Sequence, residues 1–149
     1  ENAPALGKEI EQFKASLKQR QKALSDLIIE QNRLAPDRYT GADKKTLIKK
    51  ASDRWLDYEP KAKILKVVMP IEQWKRSPKW TYSNGTWYFS DTSKIQAHVI
   101  VQHDKKLAVI RPVNLWIDHT SQDKLTANSV YDIDDELQPN EFVLLKNVK

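Results

Sequence analysis

From Leu6 the apolar side chains recur in steps that alternate between four and three. They fall at Leu6, Ile10, Phe13, Leu17, Leu24, Leu27 and Leu34, with Arg20 and Gln31 at the two remaining seam positions. A repeat of three and a half residues is that of an amphipathic helix with a coiled-coil seam. Nothing between Gly7 and Ala35 breaks the pattern. Ala35-Pro36 predicts the end, because the residue before a proline is pushed out of the α region. Such a helix would be about 42 Å long at 1.5 Å per residue, more than the width of a compact domain of this size. The seam then has two possible destinations. It packs on the chain's own sheet and second helix, or it takes a protein partner, a second copy included. Arg20 and Gln31 interrupt the stripe, and Ile28-Ile29 widen it.

A second helix is predicted over Lys44–Leu56, with Thr40 or Asp43 as its cap. Leu47, Ile48, Ala51, Trp55 and Tyr58 share one face, and Glu59-Pro60 stops it. Beyond Pro60 the period falls to two. Lys63–Met69 reads as a strand, and Pro70–Trp74 as a turn of helix with proline first. Asn84-Gly85 sits between two aromatic, threonine-rich runs, and both residues tolerate the positive φ of a type I′ hairpin turn. A two-residue loop sets the register: Ser83 opposite Thr86, Tyr82 opposite Trp87, Thr81 opposite Tyr88, Trp80 opposite Phe89. Trp80, Tyr82, Trp87 and Phe89 then share one face, and the other face carries mainly small polar residues. That segregation predicts a half-buried hairpin with its rings in the core. The competing reading is a platform on which bases or sugars stack.

Further strands are predicted over Ile95–Gln102, Leu107–Ile117, Leu125–Ile133 and Phe142–Val148. Pro112 lies inside the second of these and cannot donate to a ladder, so an edge or a bulge is expected there. Two helices followed by a meander of about six strands make an α+β fold, a roll-like, curved, mostly antiparallel sheet packed on the helices. The alternative is a small β-barrel with a helical arm. The whole chain, 1–149, reads as one domain, helical over 1–59 and sheet over 61–149.

Composition narrows the chemistry. The chain is 40% hydrophobic and 30% charged, which is globular rather than disordered. It has no cysteine, so disulfides, thiol nucleophiles and thiolate metal sites are excluded. Its three glycines, Gly7, Gly41 and Gly85, are too scattered to cradle a phosphate, and no Gly-x-Ser-x-Gly elbow occurs. No cofactor or metal signature is visible. His98, His103 and His119 lack a second ligand at metal-binding spacing, and the acidic run Asp132-Ile133-Asp134-Asp135-Glu136 has no calcium-loop spacing. Asn84-Gly85-Thr86 is also a formal glycosylation triplet, already accounted for by the turn. No apolar run is long enough to span a membrane. The start Glu1-Asn2-Ala3-Pro4 resembles what remains after signal-peptide cleavage, which gives the expectation of an exported, extracytoplasmic protein.

The net charge of +5 is uneven. Residues 1–79 carry 18 Lys/Arg against 11 Asp/Glu, and residues 80–149 carry 7 against 9. Lys44, Lys45, Lys49 and Lys50 concentrate part of the excess.

Three functions follow as expectations. The first is a non-catalytic interaction module using the heptad helix for self-association or docking. The second is a small-ligand or enzymatic roll whose pocket is lined by Trp74, Tyr82, Trp87, His98 and Trp116, with His98 as the acid–base group. The third is a binder of anionic polymers through the basic half, although no nucleic-acid-binding motif is recognisable.

Overall fold

The computed structural model describes residues 3–130 and 135–148. Two helices, α1 (Ala3–Gln31) and α2 (Lys44–Tyr58), precede six strands: β1 (Ile64–Val68), β2 (Lys75–Ser83), β3 (Thr86–Gln102), β4 (Leu107–Asp118), β5 (Lys124–Ser129) and β6 (Phe142–Leu144). The strands form one open antiparallel sheet in the order β1-β3-β4-β5, with β2 also on β3 and β6 also on β4. The fold is α+β, and the barrel alternative does not hold: β1 and β5 lie at opposite ends of the sheet order.

α2 lies on one face of this sheet. Leu47, Ala51 and Trp55, one turn apart along the helix, are buried against Met69, Ile95, Ala97, Val99, Val113, Leu115 and Ala127. The alternation of β3 and β4 supplies these residues from every second position. On the other face Ile100, Ala108 and Val143 form a smaller cluster with Leu34, Leu65, Ile110, Leu145 and Val148.

The hairpin turn is as the sequence requires. Asn84 has φ 50° and Gly85 φ 76°, and the register runs from Ser83↔Thr86 through Trp80↔Phe89 and on to Lys75↔Lys94. The long strand β3 was not anticipated: the second hairpin strand and Ile95–Gln102 are one element of 17 residues.

Four further expectations are corrected. α1 stops at Gln31, before the proline, where Asn32 donates from Nδ2 to the carbonyls of Asn140 (2.7 Å) and Phe142 (2.6 Å) and draws the chain onto the body. Pro70–Trp74 is a bend, not a helical turn. Its entry is held by Met69, whose carbonyl accepts from the amides of Arg38 and Tyr39, and its exit by Trp74 Nε1, which donates to the Tyr39 hydroxyl at 3.0 Å. Pro112 sits in a central strand with an unshifted ladder to β3. Its carbonyl accepts from Val130, one residue past β5, so its missing N–H faces the end of β5 and not the ladder to β3. β6 is only three residues long and passes into a 3-10 turn, Leu145–Asn147. Of the expected strand Leu125–Ile133, the residues from 131 on lie outside the described residues, as do Asp132, Ile133 and Asp134 of the acidic run.

Candidate functional site

The seam of α1 is a surface feature. Every residue from Leu6 to Leu24 is exposed, and Leu6, Ile10, Phe13, Leu17, Leu24 and Leu27 keep between 42% and 65% of their surface in water. Leu34, beyond the helix, is the exception and packs into the smaller core cluster. α1 meets the rest of the molecule chiefly at the Pro139–Glu141 turn and β6. Ser25, Ile28, Ile29 and Asn32 are the partly buried positions near its end. These recur at three, four and seven residues, so they form a helical face of their own beside the seam. The helix therefore docks on its own body by one stripe and leaves the heptad stripe pointing elsewhere. The seam's flanks carry Glu9 and Lys14. Lys14 bonds Glu11 at 3.0 Å within the helix, both side chains largely solvated.

The hairpin forms a second unpartnered surface. Trp80 (63%), Tyr82 (60%), Trp87 (63%) and Phe89 (44%) are exposed, as is Tyr88 (54%) on the opposite face. The rings pair across the strands: Trp80 with Phe89 at 5.0 Å between centroids, and Tyr82 with Trp87 at 5.1 Å. The expectation that this face is core is thus overturned, and the reason is length. β3 extends about 56 Å at about 3.3 Å per residue, whereas α2 is about 22 Å long. Trp87, Phe89, Asp91, Ser93, Ile95, Ala97, Val99 and Val101 lie on one continuous face of β3, but the helix covers only its inner end. The middle of the row is polar. Arg76 clamps Asp91 through Nε to Oδ1 (3.0 Å) and Nη2 to Oδ2 (2.5 Å). These hydrogen bonds hold the Asp91 carboxyl below the usual carboxylate range.

Next to that clamp is a constellation that sequence spacing could not reveal. Ser93 Oγ lies 2.8 Å from His119 Nε2, and His119 Nδ1 lies 2.6 Å from Asp123 Oδ1. That is the connectivity of a nucleophile, base and orienting carboxylate. The serine is closed off by its surroundings. Ser93 is only 7% exposed, its backbone sits in the ladders to both β2 and β4, and none of the four cavities below is lined by it. The three residues clasp the β4–β5 turn, where Gln122 and Asp123 take positive φ.

The five residues expected to line one pocket are dispersed. Tyr82 and Trp87 are at the hairpin tip. Trp74 packs at the edge of the main core. His98 and Trp116 share the sheet face away from α2, two cross-strand rows apart, or about 13 Å. His98 Nε2 is 3.1 Å from Gln96 Oε1, and burial pushes its imidazole below the ordinary value. It borders a cavity of about 230 Å³ with Arg33, Ile110, Pro112 and Glu141. The other cavities measure about 240, 210 and 320 Å³. Three lie below the range of about 300–1,000 Å³ usual for ligand sites, and the fourth is at its foot.

Arg111 is a buried cation, its side chain 7% exposed, stacked over Trp55 at 5.2 Å and 3.7 Å from Glu141. The basic cluster on α2 is partly neutralised: Lys44 pairs with Asp37 at 2.9 Å and Lys49 with Asp53 at 2.6 Å. No group of three or more His, Asp or Glu side chains among the described residues could hold a metal ion. No helix of the described chain is long and apolar enough to cross a membrane. Compared with known proteins, the chain matches no family model, no curated protein and no solved structure.

Proposed function

We propose that the chain is a non-catalytic interaction module whose helix α1 associates with another helix through the heptad stripe. The observation that carries this is the division of labour on α1. Ser25, Ile28, Ile29 and Asn32 hold the helix to its own body, while six seam residues stay in water. An apolar seam of this length, maintained on a helix that has already found its intramolecular contact, is explained by an intermolecular one.

A second copy fits the seam. In a parallel, in-register pair Ile10, Leu17 and Leu24 occupy the a layers, and Leu6, Phe13 and Leu27 the d layers. Glu9 then lies five residues before Lys14 of the other copy, the spacing of an interhelical g–e′ ion pair. Arg20 is a d residue, and two of them would face each other. That layer opposes the pairing and sets the expected Kd at roughly micromolar rather than nanomolar.

Sedimentation velocity and light scattering across a micromolar concentration series test the proposal. Wild type is expected to dimerise, and Leu17→Asp/Leu24→Asp to remain monomeric with unchanged sheet circular dichroism. A wild type that stays monomeric at high micromolar concentration ends the self-association reading.

A further inference from the structure

We infer that the tip of the β2–β3 hairpin is a docking element for an anionic lipid surface, seated at the level of the headgroups. The argument starts with the distribution of charge. Residues 80–89 contain no charged side chain and five aromatic ones, all exposed. Behind them on β2, Lys75 and Lys79 stand on the face of Tyr88, while Arg76 on the ring face is already paired with Asp91, and no carboxylate occurs from 75 to 90. The first acid, Asp91, is already held by Arg76. Lys75 is directly cross-strand from Lys94. Two like charges in that relation destabilise a hairpin, and an anion between them relieves the repulsion. An uncharged aromatic tip with a cationic collar is complementary to an interface that is apolar beneath and anionic above.

The backbone fixes the depth. β3 pairs with β4 only from Thr92 onward, so the tip is two-stranded and both of its outer edges lack a ladder partner. Outward-facing amides and carbonyls there need water, which excludes the hydrocarbon interior but not the hydrated headgroup layer. Trp and Tyr suit that layer, since each has an apolar ring and a polar atom. The hairpin lies aslant with the four-ring face down, while Lys75 and Lys79 on the edge strand reach round to the headgroups. The edge itself disfavours a protein strand as occupant. β2 carries Pro78 and two lysines, devices that blunt edge-to-edge pairing.

Co-sedimentation of the full chain with phosphatidylcholine vesicles, with and without a quarter of phosphatidylglycerol, tests this. The chain should bind the anionic vesicles, release as salt rises, and shift its tryptophan emission to the blue. Trp80→Ser/Trp87→Ser should abolish the shift and most of the binding. Lys75→Ala/Lys79→Ala should weaken binding roughly 30-fold, from about one fivefold factor per cation. The altered side chains are exposed, so unchanged thermal unfolding is the control for folding. Leu17→Asp/Leu24→Asp should bind as wild type, which separates the hairpin from α1. The inference is overturned by equal binding to neutral and anionic vesicles, by no binding to either, by wild-type binding of the tryptophan variant, or by loss in the α1 variant. Capture of single-stranded oligothymidylate without vesicle binding would assign the surface to nucleic acid and also overturn it.

Discussion

His98 shows how one side chain's surroundings replace the role its type suggests. It is the residue with which an acid–base site would begin, yet its ring meets Gln96, and no carboxylate hydrogen-bonds it among the described residues. Burial holds its folded pKa below the ordinary 6.5. The unfolded chain therefore takes up a proton first as pH falls, and the native state loses stability from about pH 6.5 downward toward the folded value. Urea titrations at pH 7.5 and 5 should show a drop in wild type and a smaller one in His98→Gln. Equal drops would mean that His98 is not the group responsible. Other individual placements were hidden from sequence reading for a definite reason. Ser93 and His119 are 26 positions apart, and only the β3–β4 register brings them to 2.8 Å. Arg111 looks in the sequence like an ordinary strand cation. It is buried because residue 111 alternates onto the face that α2 covers.

Among the elements, both helices and the hairpin were legible because each rests on local rules: a sustained period, a proline stop, a two-residue turn that dictates register, although Asp43 at the start of α2 makes no side-chain capping bond. Asn84-Gly85 specifies every cross-strand pair from Ser83↔Thr86 to Trp80↔Phe89 without reference to the rest of the chain. What alternation cannot specify is the identity of whatever covers the apolar side. A strand written for one covered face reads the same whether the cover is α2 or something outside the molecule. That is why Trp80, Tyr82, Trp87 and Phe89 were expected inside and are found outside. The same ambiguity affected the seam of α1, and Arg20 offers a way to resolve it. In a parallel homodimer Arg20→Leu removes a facing pair of cations and adds an apolar layer, so Kd should tighten by about tenfold or more. A partner helix that places a carboxylate opposite Arg20 would instead be bound less tightly by that variant. Sedimentation velocity on wild type and variant reads the sign.

The molecule as a whole divides into a body and two projections. The body is α2, the inner halves of β3 and β4, the strands flanking them, and the connections that carry Tyr39 and Met69, and it contains the buried residues of both core clusters. None of those residues comes from the first thirty positions or from 79–90. Replacing Lys79–Ser90 with a bare Asn-Gly turn between the facing pair Pro78 and Asp91 should therefore leave a folded domain. Its thermal midpoint should stay within a few degrees, a change of about 1 kcal/mol or less. Calorimetry giving a loss of ten degrees or more would show that the tip contributes to the core after all.

Because β3 runs unbroken from beneath α2 to the aromatic turn, the molecule has a built-in lever. No gap in the pairing separates the tip from the body: β2 and β3 pair from Ser83↔Thr86 to Lys75↔Lys94, and β3 and β4 from Thr92↔Asp118 on. A load applied there is shared by β2 and β3 and passes through β3 into its pairing with β4, whose bonds from Thr92↔Asp118 to Gln102↔Ala108 lie side by side along the strand. A pull on the far end would thus be borne by the most deeply seated strands of the domain.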